Sequence, residues 1–557
     1  TAPAESAPAA ATSSAPPAAI EVRVVGERKQ RADRTSDSVR VGGEKLRASP
    51  RPTLLEALSQ EVPDMYVPAR GAAIHGVSSG ATGGIHIRGM GGSPNSQVVV
   101  VEDGVPDYQG LFGHPIPDAY VGFLLDDALV VRGGDSVLYG TNAMGGAILL
   151  RSRWRKQDGW EVESDSSAGS YSTLRQSVAV LGNEGRLGVA GAVHALRSDG
   201  HRLGAGGGNL IGQFALRTRL GGGWELTLRE KAMHLTGADP GPVTHPNDDH
   251  TFDVWRDRVS LQAVWRSGLA QVRVQPFFNI GRHALYDGFL SIDTTSGGIL
   301  ESDLQLHRAV RLLVGSSVDR ASGSAENRVS QTSYAVRAQQ SASWYEQLTV
   351  EPVKGLQLVG GSRVVASANH GFVFLYKGGV RWSFAEGWHV RARAARNFRQ
   401  PTLHELYLPF PTSNPDLRPE RSLGTDLGGG YTSRHFTASG SVYRNDVRDL
   451  IKYFGSWPSA EVVNIDHTTV VGVEGQVAVR EVGPFALRVG GSWQDVGRYT
   501  KQNPSARGVF GLDFAQPAGA WTLRASLEGE WVHGLFMNNY REDPIEDVFV
   551  VNLGVRG

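Results

Sequence analysis

The sequence predicts a transmembrane β-barrel over residues 154–557, preceded by a small α+β domain over residues 29–153. Three observations carry this. First, segments after Arg153 alternate with period two. Trp521, Leu523, Ala525, Leu527, Gly529 and Trp531 share one face, opposite Thr522, Arg524, Ser526, Glu528 and Glu530. Ala270–Ile280 likewise sets Val272, Val274, Phe278 and Ile280 against Gln271, Arg273, Gln275 and Asn279. Trp388, Val390, Ala392 and Ala394 oppose His389, Arg391 and Arg393. Alternation gives each strand a wet and a dry face without saying whether the dry one meets lipid or a protein core. Second, all 12 tryptophans lie between Trp154 and Trp531. Ten residues at about 3.3 Å each, tilted roughly 40°, rise about 25 Å, the height of a barrel's apolar band. Trp521 and Trp531 are therefore placed in two aromatic girdles, whereas a soluble sandwich uses shorter strands and buries its tryptophans centrally. Third, the residues before Arg153 have another texture. The apolar runs Ile85–Ile87, Val98–Val101, Leu129–Val131 and Ala147–Leu150 are bounded by glycine-rich or polar turns, which predicts buried strands of a compact domain.

Composition narrows the function classes. Lys+Arg and Asp+Glu both number 56, so the formal net charge of zero argues against a nucleic-acid binder that relies on a basic surface. The absence of cysteine excludes thiolate metal sites and disulfides. No run approaches the roughly 18 apolar residues of a spanning helix. The mean hydropathy of −0.24 is compatible with a barrel, whose lipid-facing and lumen-facing residues average out as polar.

The glycine-rich stretch 84–153 organises the chain. Its order, IRG at Ile87–Gly89, then VVVVEDGVP at Val98–Pro106, then VVRGGDSVLYGTNAMGGAI at Val130–Ile148, resembles the plug domain of TonB-dependent outer-membrane transporters. A second signature, NFRQPTLHELYLPFPTSNPDLRPE at Asn397–Glu420, resembles the family's barrel, where a strand leaves the membrane, loops outside and re-enters. Val473-Glu474 fits the strand motif that follows in relatives. The resemblance implies a barrel of about 22 antiparallel strands enclosing the plug. Residues 156–557 number 557 − 155 = 402, and twenty-two strands of about 10 residues use roughly 220 of them. Relatives continue beyond the motif at Val550–Gly557, so a last hairpin is expected to be missing here, or closure to be unusual.

Upstream, residues 1–19 are Ala/Pro/Ser-rich and read as a flexible periplasmic tether, beginning like a mature N-terminus. Residues 20–28 hold a β-prone segment, Ile20-Glu21-Val22-Arg23-Val24-Val25, which the resemblance makes a Ton box, captured by a TonB-type energy-transducing partner through added strand pairing. Within the plug, Thr53–Gln60 has the spacing of a short amphipathic helix. Gly89–Asn95 and Pro106–Asp118 are too rich in Gly and Pro for regular structure; they are expected as apical loops, with plain turns the competing reading for the first. Gly133-Gly-Asp-Ser-Val looks like a hydrolase turn but has no helix pattern after it, which favours a structural role. Outer barrel loops are expected at Gly237–Asp253, Asp287–Gly298 and Phe398–Glu420.

Several constellations bear chemistry. The resemblance makes Arg88 and Arg132 of the plug and Glu420 and Glu474 of the barrel a buried plug–barrel lock, a task for bidentate, geometry-specific pairs. Tyr108, Phe112, His114, His404, Tyr407 and Phe410 are the candidate ligand-binding residues, in loops where bulky aromatics are costly to leave on mere connectors. His245, Asp248, Asp249 and His250 have the donor types for zinc or copper, although such clusters also form ordinary turns. No catalytic motif or resident cofactor is expected. The implied function is uptake of a scarce solute: a metal chelate such as an iron–siderophore, or cobalamin. The implied setting is a monomeric barrel in the outer membrane of a Gram-negative bacterium, contacting lipid and lipopolysaccharide unless it joins a larger envelope complex. Two alternatives stay open, a passive channel and a barrel with a surface-structural, adhesion or envelope-assembly role.

Overall fold

The computed structural model describes residues 33–68, 84–92, 96–409, 412–455, 460–519 and 521–556. The tether, the Ile20–Val25 segment and Phe410 lie outside the described residues. The N-terminal domain comprises β1 (Asp37–Gly42), α1 (Gly43–Ala48), α2 (Leu54–Glu61), β2 (Met65–Tyr66), β3 (Ile85–Ile87), β4 (Met90–Gly92), β5 (Val98–Glu102), β6 (Val105–Asp107), β7 (Leu125–Arg132), α3 (Ser136–Tyr139) and β8 (Gly146–Ser152). Its main sheet has the order β1-β7-β8-β5-β6, with β5 and β8 parallel. Sequestered on both faces, these strands read as unbroken apolar runs: Val100, Val130 and Ile148 are fully buried. Against the sheet lies α2, capped by Thr53, whose side chain accepts from the Glu56 amide. Leu55 and Leu58 on its inner face are fully buried with Met65, Ile85 and Ile87. One expectation fails locally. Gly133-Gly-Asp-Ser-Val does lead into a helix, the four-residue α3, because the Asp135 carboxylate caps the Leu138 amide. Ser136 is wholly buried and its hydroxyl accepts from the Phe398 amide, so it presents no nucleophile.

Twenty strands from Gly159 to Arg556 form the barrel. About twenty-two were expected. Each strand pairs antiparallel with the next, and the order brings Val548–Arg556 round to Gly159–Gly169. No residue-by-residue register joins these two among the described residues, and Val162, Phe549 and Leu553 beside the seam are exposed, so the ring is not closed by a ladder. Strands run from 9 to 22 residues, longer at the upper end than the ten expected. Asp287–Gly298 is not a loop. The strand Phe289–His307 contains most of it, and Gly297 is there because a Cβ would stand 2.3 Å from the Val318 carbonyl oxygen and 2.8 Å from the Phe277 ring, one on each neighbouring strand.

The alternation resolves as inside-out. On the strand Ala270–Leu285, Val274, Phe278 and Ile280 are 41–44% exposed, while Gln275 and Asn279 are at most 1% exposed. On Trp388–Arg399, Trp388 and Val390 face outward and Arg391 and Arg393 are buried. An apolar exterior around a polar, filled interior is what hydrocarbon requires of a barrel. Trp255 and Trp265 stand ten residues apart on one strand, and Trp265 pairs in register with Trp224 at the end that carries the short turns. The opposite end carries the long connections, residues 239–250, 400–419 and 534–547. No helix among the described residues is long and apolar enough to cross a membrane.

The N-terminal domain sits inside the barrel. Its side chains and backbone meet the wall on opposite sides: Glu102 meets Lys231 and Arg258, Ser136 meets Asn397, and Gln60 donates to the carbonyls of Phe510 and Gly529. Arg507 donates to the carbonyls of Ser59, Val62, Pro63 and Met65, tying the chain that leaves α2 to the wall.

Candidate ligand vestibule and plug–barrel lock

Three of the four expected lock residues come together. Arg88, held at φ 51° in the tight β3–β4 turn, pairs with Glu474 and reaches Asp37 at 2.6 Å. Arg132, at the end of β7, lies 3.3 Å from Glu474, 3.1 Å from Asp64 and in contact with Asp37. From the wall, Arg391 pairs with both Asp37 and Asp426, and the Ser441 hydroxyl donates to Glu474 at 2.6 Å. Burial opposes the charge on Asp37, yet the guanidiniums of Arg132, Arg391 and Arg88 hold its carboxyl well below the usual range. Asp37, Asp64, Arg391, Asp426 and Ser441 were not singled out from sequence; only the wet-face position of Arg391 gave a signal.

Glu420 belongs to a different knot. It accepts from Arg399 at 2.8 Å, from the Ile451 amide at 2.8 Å and from plug Gln97 at 2.8 Å. Arg399 is also forked onto Glu405, whose own carboxylate closes a capping box with Thr402 at the start of α4 (Leu403–Tyr407). Glu420 thus bridges plug and barrel through an amide rather than through Arg88 or Arg132. A third knot joins Asp33 and Asp135 of the plug to Lys377 and Arg393 of the wall.

The vestibule at the long-loop end brings together part of the expected aromatic set. The Phe112 ring lies 4.5 Å from His404, 6.1 Å from His114 and 6.0 Å from Phe289. The His404 amide donates to the Leu111 carbonyl, and its ring meets the Tyr453 hydroxyl at 3.2 Å, so α4 is docked on the plug apex. His114 is buried with Nδ1 at 2.8 Å from the Pro115 carbonyl, and burial pushes its imidazole down to about 4. Tyr407 joins them, packing with Phe112 against the cluster of Leu111, Phe289, Leu403 and Leu408, under the Arg337 guanidinium. Tyr108 departs from the group, lining a cavity of about 220 Å³ between plug and wall, beside Asp319 and Tyr345.

The proposed metal quartet is not assembled. His250 stacks on Tyr286 at 3.7 Å and lies 3.7 Å from Asp249, whereas His245 and Asp248 project to solvent, His245 beside Thr244. Among the described residues no group of three His, Cys, Asp or Glu side chains is placed to hold an ion. The stretch is turn chemistry, with the Asp239 carboxylate accepting from the Gly241 amide.

Comparison with known proteins accords with this architecture. Residues 30–147 match the TonB-dependent receptor plug domain, and residues 185–556 match the TonB-dependent receptor-like β-barrel. The siderophore receptor PirA from Pseudomonas aeruginosa has a similar fold, with a TM-score of 0.73 at 16% identity over 93% of this chain and 92% of that one. A point mutant of the ferric enterobactin receptor PfeA from the same organism gives 0.76 at 14% identity, over 94% and 91%. The copper transporter OprC gives 0.75 at 16% identity, over 93% and 90%. A vitamin B12 transporter, BtuB from Vibrio vulnificus (strain YJ016), is 31% identical over 109 residues, 19% of this chain and only 17% of its own length. An apolar-sheathed barrel, a plug knotted to its wall by buried ion pairs, and matches to both domain models over most of the sequence lead to one statement: the chain belongs to the TonB-dependent receptor family.

Proposed function

We propose that this chain is an outer-membrane transporter that binds a scarce external solute in its vestibule and imports it to the periplasm of a Gram-negative bacterium. The energy comes from a TonB-type partner that captures Ile20–Val25; the chain itself performs no catalysis. Among family members of similar fold, names record siderophore, ferric enterobactin and copper as ligands, and BtuB takes vitamin B12. A metal chelate such as an iron–siderophore, or cobalamin, is the cargo class assigned here. The domain limits proposed are a tether at 1–19, the coupling segment at 20–28, the plug at 29–153 and the barrel at 154–557.

One observation carries the reading. The plug fills the barrel and is held there by buried charge pairs alongside apolar patches such as Ile116 and Ala119 against Leu235 and Phe252, and two of its charged anchors, Asp33 and Asp37, lie a short way downstream of the coupling segment. A pull applied upstream is delivered first to those anchors. The proposed sequence is therefore ligand contact at Phe112, His114 and His404, a change at the plug apex, partner capture at Ile20–Val25, and withdrawal of β1 from the lock. Arg88, Arg132 and Glu474 hold the closed state, with Glu420 securing the vestibule side. Deleting residues 20–27 is expected to abolish uptake while ligand binding persists. Unchanged uptake would overturn the reading, and high ion conductance of the intact protein would favour a passive channel.

A further inference from the structure

The vestibule holds a second pocket, of about 100 Å³, between the β3–β4 hairpin and the strands Phe436–Phe454 and Glu461–Val482. It is far larger than the ~15 Å³ one water needs, so it has room for a carboxylate or phosphate group. Its floor is His86 on β3, which is 2% exposed, packs against Tyr66, and has neither ring nitrogen hydrogen-bonded among the described residues. Burial, then the neighbouring Lys452 charge, hold this imidazole down at about 3, so at neutral pH it is uncharged and offers one N–H. Lys452 lines the pocket half-buried, with no hydrogen bond or ion pair among the described residues. Lys501 stands exposed at the mouth, with Tyr499 and Asn539 beside it.

The carboxylates of the same wall do not supply the missing partner. Glu405 and Glu420 are taken up by Arg399, Gln97 and the amides of Thr402 and Ile451. A half-buried ammonium and a buried imidazole N–H, both unpaired and facing the same space, are costly unless an acceptor arrives. We propose that this pocket binds an oxyanion, a carboxylate or phosphate entering from outside, with Lys452 as counter-charge and His86 as neutral donor. This deepens the import reading, on which it rests only for where the solute goes next.

The test is calorimetric titration of the full chain in detergent with inorganic phosphate and with citrate, using chloride at matched ionic strength as the control. Saturable binding is expected for the wild type. Lys452→Gln should weaken it by about tenfold or more, the loss of one charged hydrogen bond, and the exposed Lys501→Gln by roughly threefold. Lys452→Arg, which keeps the charge, should retain binding and so separates loss of the site from misfolding. Citrate binding marks a carboxylate carried on a larger solute; phosphate binding without citrate marks the free inorganic ion. No saturable binding of either, or Lys452→Gln and Lys501→Gln each within twofold of wild type, overturns the proposal. The chain lacking residues 20–27 keeps oxyanion binding if the pocket is real, whereas its uptake reports only on the import reading, so the two can fail separately.

Discussion

Replacing Asp37 by alanine is expected to loosen the first strand of the plug while leaving the barrel untouched. Asp37 accepts from Arg88 at 2.6 Å, from Ser441 at 3.1 Å, and from Arg132 and Arg391. Around it Asp37, Asp64, Asp426 and Glu474 face Arg88, Arg132 and Arg391, so removing one carboxylate leaves three of each sign. Net charge is therefore not the penalty. The penalty is the loss of the carboxylate that ties both plug arginines to Arg391 of the wall. Removing one partner from a buried ion pair costs about 3–5 kcal/mol. Arg88 and Arg132 keep Asp64 and Glu474, so the lower end, about 3 kcal/mol, applies, a rise in local opening on the order of 10². Hydrogen exchange of the β1 amides, followed by mass spectrometry on the full chain in detergent, reads this directly. Arg328→Ala, at an exposed pair with Glu326, serves as the control and should change nothing beyond ~0.5 kcal/mol. If β1 exchanges less than threefold faster in Asp37→Ala, or if barrel strands accelerate equally, the lock argument is wrong.

Three further outcomes are expected. His114 is held at about 4 by burial, below the ~6.5 of an unfolded chain, so the unfolded state binds more protons between these values. Docking of the apical loop should accordingly be complete above about pH 6.5 and weaken as pH falls toward 4, by up to about 3 kcal/mol, and His114→Gln should flatten the profile of limited proteolysis against pH. Arg507→Ala removes donors from four plug carbonyls and should raise exchange at α2 and β2 by the equivalent of about 3 kcal/mol, with Arg507→Lys recovering part of it. Leu58→Ala empties a fully buried site in the plug core and should cost the plug about 2–5 kcal/mol in its own unfolding step, with barrel melting unchanged.

The plug strands and α2 were legible because local sequence determines them. A strand buried on both faces writes itself as an apolar run, and Thr53 followed by Glu56 announces a helix start. The barrel's polarity was legible for the same reason, since period two survives whatever the strand packs against. Glycine was misread at Asp287–Gly298, where Gly297 makes room for the Val318 carbonyl and the Phe277 ring of neighbouring strands rather than for a loop. The Thr402–Glu405 capping box passed unnoticed although its spacing is in the sequence. The lock was legible only in part. Asp37 meets its partners Arg88, Arg132, Arg391 and Ser441 across 51, 95, 354 and 404 residues, separations at which no periodicity carries information. Metal-ligand residue types at His245–His250 misled because composition says nothing of side-chain direction, and stacking on Tyr286 turns His250 away from such a site.

The position of β1 at the rim of its sheet has a mechanical consequence. Among the described residues it pairs only with β7, from Asp37 opposite Arg132 to Gly42 opposite Asp127, so that it is a ribbon with one unladdered long side there. Tension entering at its Asp37 end strips the rungs in succession, each failing before the next is loaded, so the peak force is that of one rung and its charges. A central strand would have to shear two ladders at once. The occluding domain can thus surrender a narrow strip at modest force while β5, β7 and β8 stay assembled, and the same strip can be re-laid when the tension is released.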